Sequence, residues 1–375
     1  MRSVESEASD GQFLIPHSPR SLYALLMQQI LFTDNVSASV MQVVADMAPD
    51  AVFLFADSHT SRLCLPLLGP VSERAKVITM PAGEANKNFE TLTSFLAELS
   101  DSGCTRHSLI INVGGGVVTD LGGFGASIFK RGVPFLSIPT SLLAMVDASV
   151  GGKTGIDFNG CKNEVGAFAP ASKVIISSSF LQTLDVPNLL SGYAEMLKHS
   201  LLIGEESWRR HICFLPDDLS HLSFVDLGVL IQESVACKQR ITTADPSEQG
   251  IRKSLNLGHT LGHALESLLL QRGHPVLHGY AVAWGVVASL YISVALCDFP
   301  SDVLRATSHF VLDRYGRPPI TCKDYPALHA LMLHDKKNRA GRLRFTLLKR
   351  PGEVCLDVEP STPIIEEALD FLREA

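Results

Sequence analysis

In the first half of the chain, short runs of continuous apolar residues alternate with stretches whose apolar positions recur every three or four residues. Ala51–Phe55 (AVFLF), Lys76–Met80, Ser108–Val113 (SLIINV), Phe135–Ile138 and Val174–Ile176 read as strands. The uninterrupted ones suit strands buried on both faces. Asn88–Ser100 carries Leu and Phe at helical spacing between two of them. Strands alternating with helices predict βαβ units and a mainly parallel sheet covered on both sides.

Beyond about Leu181 the period changes. Asn188–Ile203, Ser223–Thr242, Leu255–Gln271, Tyr280–Cys297 and Ser301–Tyr315 all read as helices, with one small strand in LRFTLL (343–348). The predicted class is an α/β N-terminal domain plus an all-α C-terminal domain, divided as 13–181 and 182–375. The polar, acidic residues 1–12 are expected to be a flexible N-terminus. A chain of 375 residues supports two domains, because single cores rarely grow beyond about 250–300 residues.

Composition narrows the partners. With 46% hydrophobic and 19% charged residues the chain is globular throughout. A net charge of −7 and the lack of a Lys/Arg run argue against nucleic acid. Eight scattered cysteines without a CxxC pair, and an N-terminus resembling neither a signal nor a transit peptide, predict reduced thiols in the cytoplasm. YAVAWGVVASLYISVALC (280–297) is uncharged and about long enough to span a bilayer. Its Ala, Ser and Gly content and the absence of flanking Lys/Arg clusters read instead as a core helix of the second domain.

Charges set among small and apolar residues point to chemistry. RGVPFLSIPTSLLAMVDASVGGKTGIDFNGCKN (131–163) carries Arg131, Asp147, Lys153, Lys162 and Asn163 in an apolar, glycine-rich setting. Burying such charges is costly unless they pair or meet a ligand, and the cationic excess suits a polyanionic, hydroxylated small molecule. The strand ending in GGGVVTD (114–120) offers backbone amides and a helix N-terminus to phosphate, although a tight structural turn reads the same. Asp57 after the AVFLF strand, and Glu84 with Lys87 in PAGEANK, can contact ribose and phosphate of the same nucleotide. NLGHTLGHALE (256–266) sets His259 and His263 four apart on one helix face, with His278 following. Imidazoles so placed can chelate Zn²⁺ with a third ligand, for which Glu195 in SGYAEMLKHS is the natural carboxylate. Spacing alone leaves open which two histidines bind. Lys198 shares the Glu195 face, Lys238 and Arg252 flank the histidine motif, and HDKKNRAGRLRF (334–345) adds Lys336 and Lys337.

Taken together, GGGVVTDLGGF, KRGVPFLSIPTSLLAMVDASVGGKT, the Lys162–Asn163 pair, GYAEMLKH, NLGHTLGHALE, LHGYAVAWG and DKKNRAGRLRF resemble the 3-dehydroquinate synthases of the sugar-phosphate cyclase group. The resemblance runs from about Asp57 to Phe345. It implies a Rossmann-like nucleotide-binding domain, a helical domain and a cleft between them. It further implies NAD⁺ held by Asp57, Glu84, Lys87, Gly115, Gly116, Asp120, Thr140 and Ser141, bordered by Lys153 and Lys162, and Zn²⁺ or Co²⁺ on Glu195, His259 and His278. Asp147, Lys153, Lys162, Asn163, Lys198, Lys238, Arg252, Asn256, His263 and Lys336 would face a sugar-phosphate substrate. Arg131 would reach the phosphate across the interface of a homodimer. Ser141, Ala148 and Cys161 depart from the common threonine, serine and glycine, yet each stays small. Retention of VDASVGGKT favours the dehydroquinate reaction over related cyclases. A metal-dependent glycerol or alcohol dehydrogenase of related fold is the alternative, sharing the glycine turn and the metal but needing fewer cations.

Overall fold

The computed structural model describes residues 28–159, 161–334 and 342–374. The expected flexible segment 1–12 and Lys336 lie outside them. Gln29–Phe32 (β1), Val52–Asp57 (β2), Lys76–Met80 (β3), Leu109–Gly114 (β4), Phe135–Pro139 (β5) and Lys173–Ile176 (β8) form one six-stranded sheet, ordered β1-β8-β5-β4-β2-β3 and parallel at every pairing. β4 and β5 are buried along their whole length, as strands covered on both faces must be. Val36–Met47 (α1), Phe89–Asp101 (α2) and Gly116–Ile128 (α3) supply helices of this domain. Asn88 caps α2 by accepting from Thr91 N at 2.9 Å.

Two features position the cleft. β3 and β4 lie on opposite sides of β2, so the strand order reverses there. The register pairs Asp57 with Met80 and Gly114 with Pro139, which brings Asp57, the glycine turn and Thr140 to one sheet edge. Ligands of open α/β sheets bind outside such carboxyl ends. Between β5 and β8 the chain leaves the sheet through a π-helical turn, Ala144–Ala148, and an antiparallel hairpin of Lys153–Phe158 (β6) with Cys161–Phe168 (β7). The apolar pattern did not mark this hairpin, because glycines and charges interrupt its alternation.

The second half is helical: Val186–Ile203 (α4), Glu205–Phe214 (α5), Phe224–Ala244 (α6), His259–Gln271 (α7), His278–Cys297 (α8), Ser301–Tyr315 (α9), Tyr325–His334 (α10) and Thr362–Glu374 (α11). One correction concerns α7, which begins at His259 rather than Leu255. Residues Ile251–Asn256 form a 3₁₀ stretch, and Gly258 turns the chain at φ +79°. A second concerns the late strand, which pairs as a hairpin of Phe345–Arg350 (β9) with Glu353–Val358 (β10).

α4 and α8 form the centre of this half. Every residue from Leu189 to Leu202 and from Ala281 to Leu290 is buried, as expected for α8, which is apolar all round, and in α4 despite its charged residues. Among the described residues α8 alone is long and apolar enough to cross a membrane, and 67% of its apolar window lies inside the fold. Glycines set two close approaches. A Cβ on Gly285 of α8 would stand 1.9 Å from the Gly258 carbonyl oxygen, and one on Gly192 of α4 would stand 2.4 Å from Leu143 N. The first contact draws α8 against the start of α7. The second seats α4 against the segment carrying Asp147.

Candidate active site

At the sheet edge, Asp57 Oδ1 accepts from His59 N and Thr60 N at 2.8 Å each, fixing the carboxylate at the end of β2. Gly115 and Gly116 open α3 without a side-chain cap, leaving helix amides free to meet an anion. Ser141 and Ala148 stand against them; the Cβ of a larger residue at Gly115 would lie 3.3 Å from Ser141 Oγ. Lys87 is buried and donates to Asp120 Oδ2 and Asn163 Oδ1, both at 2.6 Å. Burial opposes its charge, but Asp120 and Glu84 outweigh that and raise its pKa. Glu84 also lies 3.7 Å from Lys162.

The π-helical turn presents Asp147 to α6. Lys238 donates to both the Asp147 carbonyl and Oδ1 at 2.6 Å. Burial works to protonate Asp147, yet Lys238 and Lys198 hold it well below the usual carboxylate range. Lys153 pairs with Glu248, to which Asn256 Nδ2 also donates at 3.1 Å. Arg252 donates to the Pro246 and Gly151 carbonyls at 2.8 and 3.1 Å, and its Nε is buried with no hydrogen-bond partner.

α4 carries Glu195, Lys198 and His199 through the core, where unpaired charge is costly. Lys198 pairs with Glu195 Oε2, while Oε1 lies 3.5 Å from His259 Nε2 and 3.4 Å from His278 Nε2. Neither Glu195 oxygen takes part in a regular hydrogen bond although both are buried. Burial raises the Glu195 pKa, but Lys198, helped by His278, wins and holds it at about 2. The other ring nitrogens are spoken for. His259 Nδ1 faces the Leu257 carbonyl at 3.1 Å and His278 Nδ1 faces Glu266 Oε2 at 3.2 Å, so both act as donors there. That arrangement leaves each Nε2, on the Glu195 side, as the ring nitrogen that can ligate a cation. Nitrogens of His259, His263 and His278 come within 4.8 Å of one another. Buried carboxylate oxygens short of partners beside imidazole nitrogens are the donor set a divalent cation takes. Burial opposes charge on metal-free His278, but Glu195 and Glu266 raise its pKa to about 10, so a cation taking Nε2 displaces a proton.

Glu195 and Glu266 join Lys162, Lys198, His259 and His278, with the His263 ring beside both histidines. Separate contacts pair Asp147 with Lys238, Lys153 with Asn256 through Glu248, Asn163 with Lys87 and Arg252 with Gly151. Arg131 stands apart. It is exposed at φ +68° beyond the far end of α3, whose 13 residues span about 20 Å from the glycine turn. Two acids were not singled out in the sequence. Glu266 stands three residues after His263 and seven after His259, so helical spacing already placed it on their face. Glu248, on a loop at φ +58°, gave no such periodic signal.

A parallel-sheet domain with a glycine turn at its reversal point, facing a helical domain with a histidine–carboxylate cluster, defines the dehydroquinate synthase-like class of two-domain enzymes. The sequence profile of the 3-dehydroquinate synthase N-terminal domain matches residues 77–191, and that of the C-terminal domain matches 192–338. The 3-dehydroquinate synthase of Parabacteroides distasonis is 44% identical over 350 residues, 93% of this chain and 98% of the relative. The chain belongs to the 3-dehydroquinate synthase family. Two solved structures share the fold at 22% identity and TM-score 0.77. One is the 2-epi-5-epi-valiolone synthase of Streptomyces hygroscopicus with NAD⁺ and Zn²⁺ bound, where 99% of each chain is covered. The other is a 2-deoxy-scyllo-inosose synthase complexed with carbaglucose-6-phosphate, NAD⁺ and Co²⁺, covering 91% of this chain and 95% of that one.

Proposed function

We propose that the cleft converts 3-deoxy-D-arabino-heptulosonate 7-phosphate into 3-dehydroquinate and phosphate, with NAD⁺ and a divalent metal, in the shikimate route to chorismate and the aromatic amino acids. One observation supports this reading: Lys198 pairs with Glu195 and Lys162 with Glu266 behind His278, while Lys238 meets Asp147, Arg252 meets Gly151 and Lys153 meets Glu248, cations drawn from both halves of the chain. A substrate with a carboxylate and a phosphate needs that charge. A glycerol or alcohol dehydrogenase does not.

In this reading residues 13–181 serve the nucleotide and 182–375 the metal and substrate. Asp57, Glu84, Lys87, Gly115, Gly116, Asp120, Thr140 and Ser141 hold NAD⁺, with Lys153 and Lys162 at its border. Glu195, His259 and His278 hold the metal, Zn²⁺ by donor preference and Co²⁺ by the same geometry. Once bound, NAD⁺ supplies a reversible hydride acceptor and the metal a Lewis acid at the carbinol oxygen. The chain's own residues bind, orient and neutralise. A substrate oxyanion displaces Glu248 from Lys153 and Asn256, and Arg252 and Asn163 complete the anion contacts. Lys198 and Lys238 face the negative charge that develops as phosphate leaves, with Asp147 anchoring Lys238. His263 moves a proton at the substrate hydroxyl, imidazole being a side chain that can both give and take one. Lys336 belongs to the same substrate set by family position.

We place the enzyme in the cytoplasm as a homodimer, in which Arg131 reaches the partner's substrate phosphate. The deciding assay is phosphate release from the heptulosonate phosphate, with and without NAD⁺ and a chelator. Release that needs NAD⁺ and stops on chelation is expected. Sustained NADH accumulation without phosphate, or turnover surviving exhaustive chelation, overturns the reading.

A further inference from the structure

We propose that Glu266 is a positioning residue that couples the metal-ligating histidine of α8 to the cationic hairpin of the nucleotide domain. Its two oxygens are divided between the halves of the chain: Oε2 accepts from His278 Nδ1 at 3.2 Å, and Oε1 accepts from Lys162 Nζ at 2.7 Å. Glu266 is buried, whereas the Lys162 side chain remains 38% exposed, so the lysine can be drawn away while the carboxylate stays beside His278. The inference rests on reading Glu195, His259 and His278 as the metal ligands.

The two histidines are held differently. His259 Nδ1 meets a backbone carbonyl, a partner whose charge is constant. His278 Nδ1 meets a carboxylate whose charge is shared with a lysine. A carboxylate behind a ligating imidazole fixes its tautomer and makes Nε2 a better electron-pair donor. Lys162 draws on that same carboxylate, and it comes from β7, where it also lies 3.7 Å from Glu84. When an anionic ligand attracts Lys162, Glu266 is left to His278 alone. Anion binding at the hairpin therefore tightens the metal, and by linkage the metal tightens the anion equally.

The test is Zn²⁺ affinity of the metal-free protein, measured by competition with a chromophoric chelator and independent of turnover. E266A is expected to weaken Zn²⁺ about 10- to 100-fold, with E266Q between it and wild type. K162M, which relieves the competing pull, is expected to tighten Zn²⁺ by about fivefold, and that gain should vanish in the E266A/K162M double variant. A merely structural role for Glu266 predicts no tightening in K162M. Unchanged Zn²⁺ affinity in E266A, or a K162M effect that persists without Glu266, overturns the proposal. H259A separates the two layers. If it loses Zn²⁺ while E266A does not, only the coupling fails; if it keeps Zn²⁺, the ligand assignment beneath it fails as well.

Discussion

Replacing Gly285 by alanine tests whether the close approach of α7 and α8 builds the metal-site geometry. The new Cβ would stand 1.9 Å from the Gly258 carbonyl oxygen and 2.9 Å from Gly262 N. The first distance is about 1.5 Å inside ordinary van der Waals contact. Both obstacles are backbone, so no side chain can swing away and the helices must part. Overpacking of this kind costs about 1–3 kcal/mol, at roughly 1–2 °C of melting temperature per kcal/mol in a chain of 375 residues. The displacement matters more than the energy. His259 follows Gly258 directly and His278 opens α8, and their Nε2 atoms stand 3.5 and 3.4 Å from Glu195 Oε1. Metal ligand distances tolerate only about ±0.2 Å, and a 1 Å misplacement in an active site costs on the order of 10²-fold in rate. G285A should therefore melt earlier, lose Zn²⁺ in chelator competition and lose kcat disproportionately. Gly228 is the control: mid-helix in α6, its added Cβ would meet only Ser178 Oγ at 4.0 Å. G228A should gain about 0.5–1 kcal/mol from helix propensity and keep its metal. A G285A protein with wild-type melting and Zn²⁺ affinity would refute the argument.

Two further outcomes are expected. His199 is buried with Nδ1 2.7 Å from Ser234 Oγ, and burial together with Lys198 pushes its pKa down to about 3. It is neutral when folded and takes up a proton on unfolding, so its stability contribution is complete above pH 6.5 and falls as pH drops toward 3. The slope is about 1.4 kcal/mol per pH unit where only the unfolded form is protonated. Denaturant melts between pH 6.5 and 5, above the carboxylate range, should show this slope in wild type and a shallower one in H199Q; equal slopes would remove His199 from the account. If Arg131 acts across a dimer, R131A and K198A subunits, each inactive alone, should complement on mixing. A random mixture makes half its dimers hybrid, each with one intact site, restoring roughly a quarter of wild-type activity. No recovery after verified subunit exchange would return Arg131 to its own subunit or to no catalytic role.

Much of the scaffold was readable in advance. β2, β4, β5, β8 and the helices around Glu195, His278 and Tyr315 follow from local apolar period, because burial on both faces or all round leaves a continuous run. The β6–β7 hairpin did not announce itself: Gly155 and Gly166 pair where backbone meets backbone, and its lysines pair with Glu248, Glu266 and Glu84 rather than alternating against a core. The start of α7 was misplaced because Leu255 and Leu257 continue an apolar period through a 3₁₀ turn, and only Gly258 in the left-handed region breaks it.

The same division holds for the site. Residue types and spacing alone identified a cationic, glycine-rich stretch, a histidine pair four apart and a carboxylate in an apolar helix, since helical and strand periods are local properties. Which nitrogen faces which oxygen is not local. The partition of Glu266 between His278 and Lys162 and the hold of Glu248 on Lys153 and Asn256 join residues far apart in the chain. Tertiary packing decided them, because the tautomer, the charge balance and the reach of each side chain depend on what the fold brings within hydrogen-bonding distance.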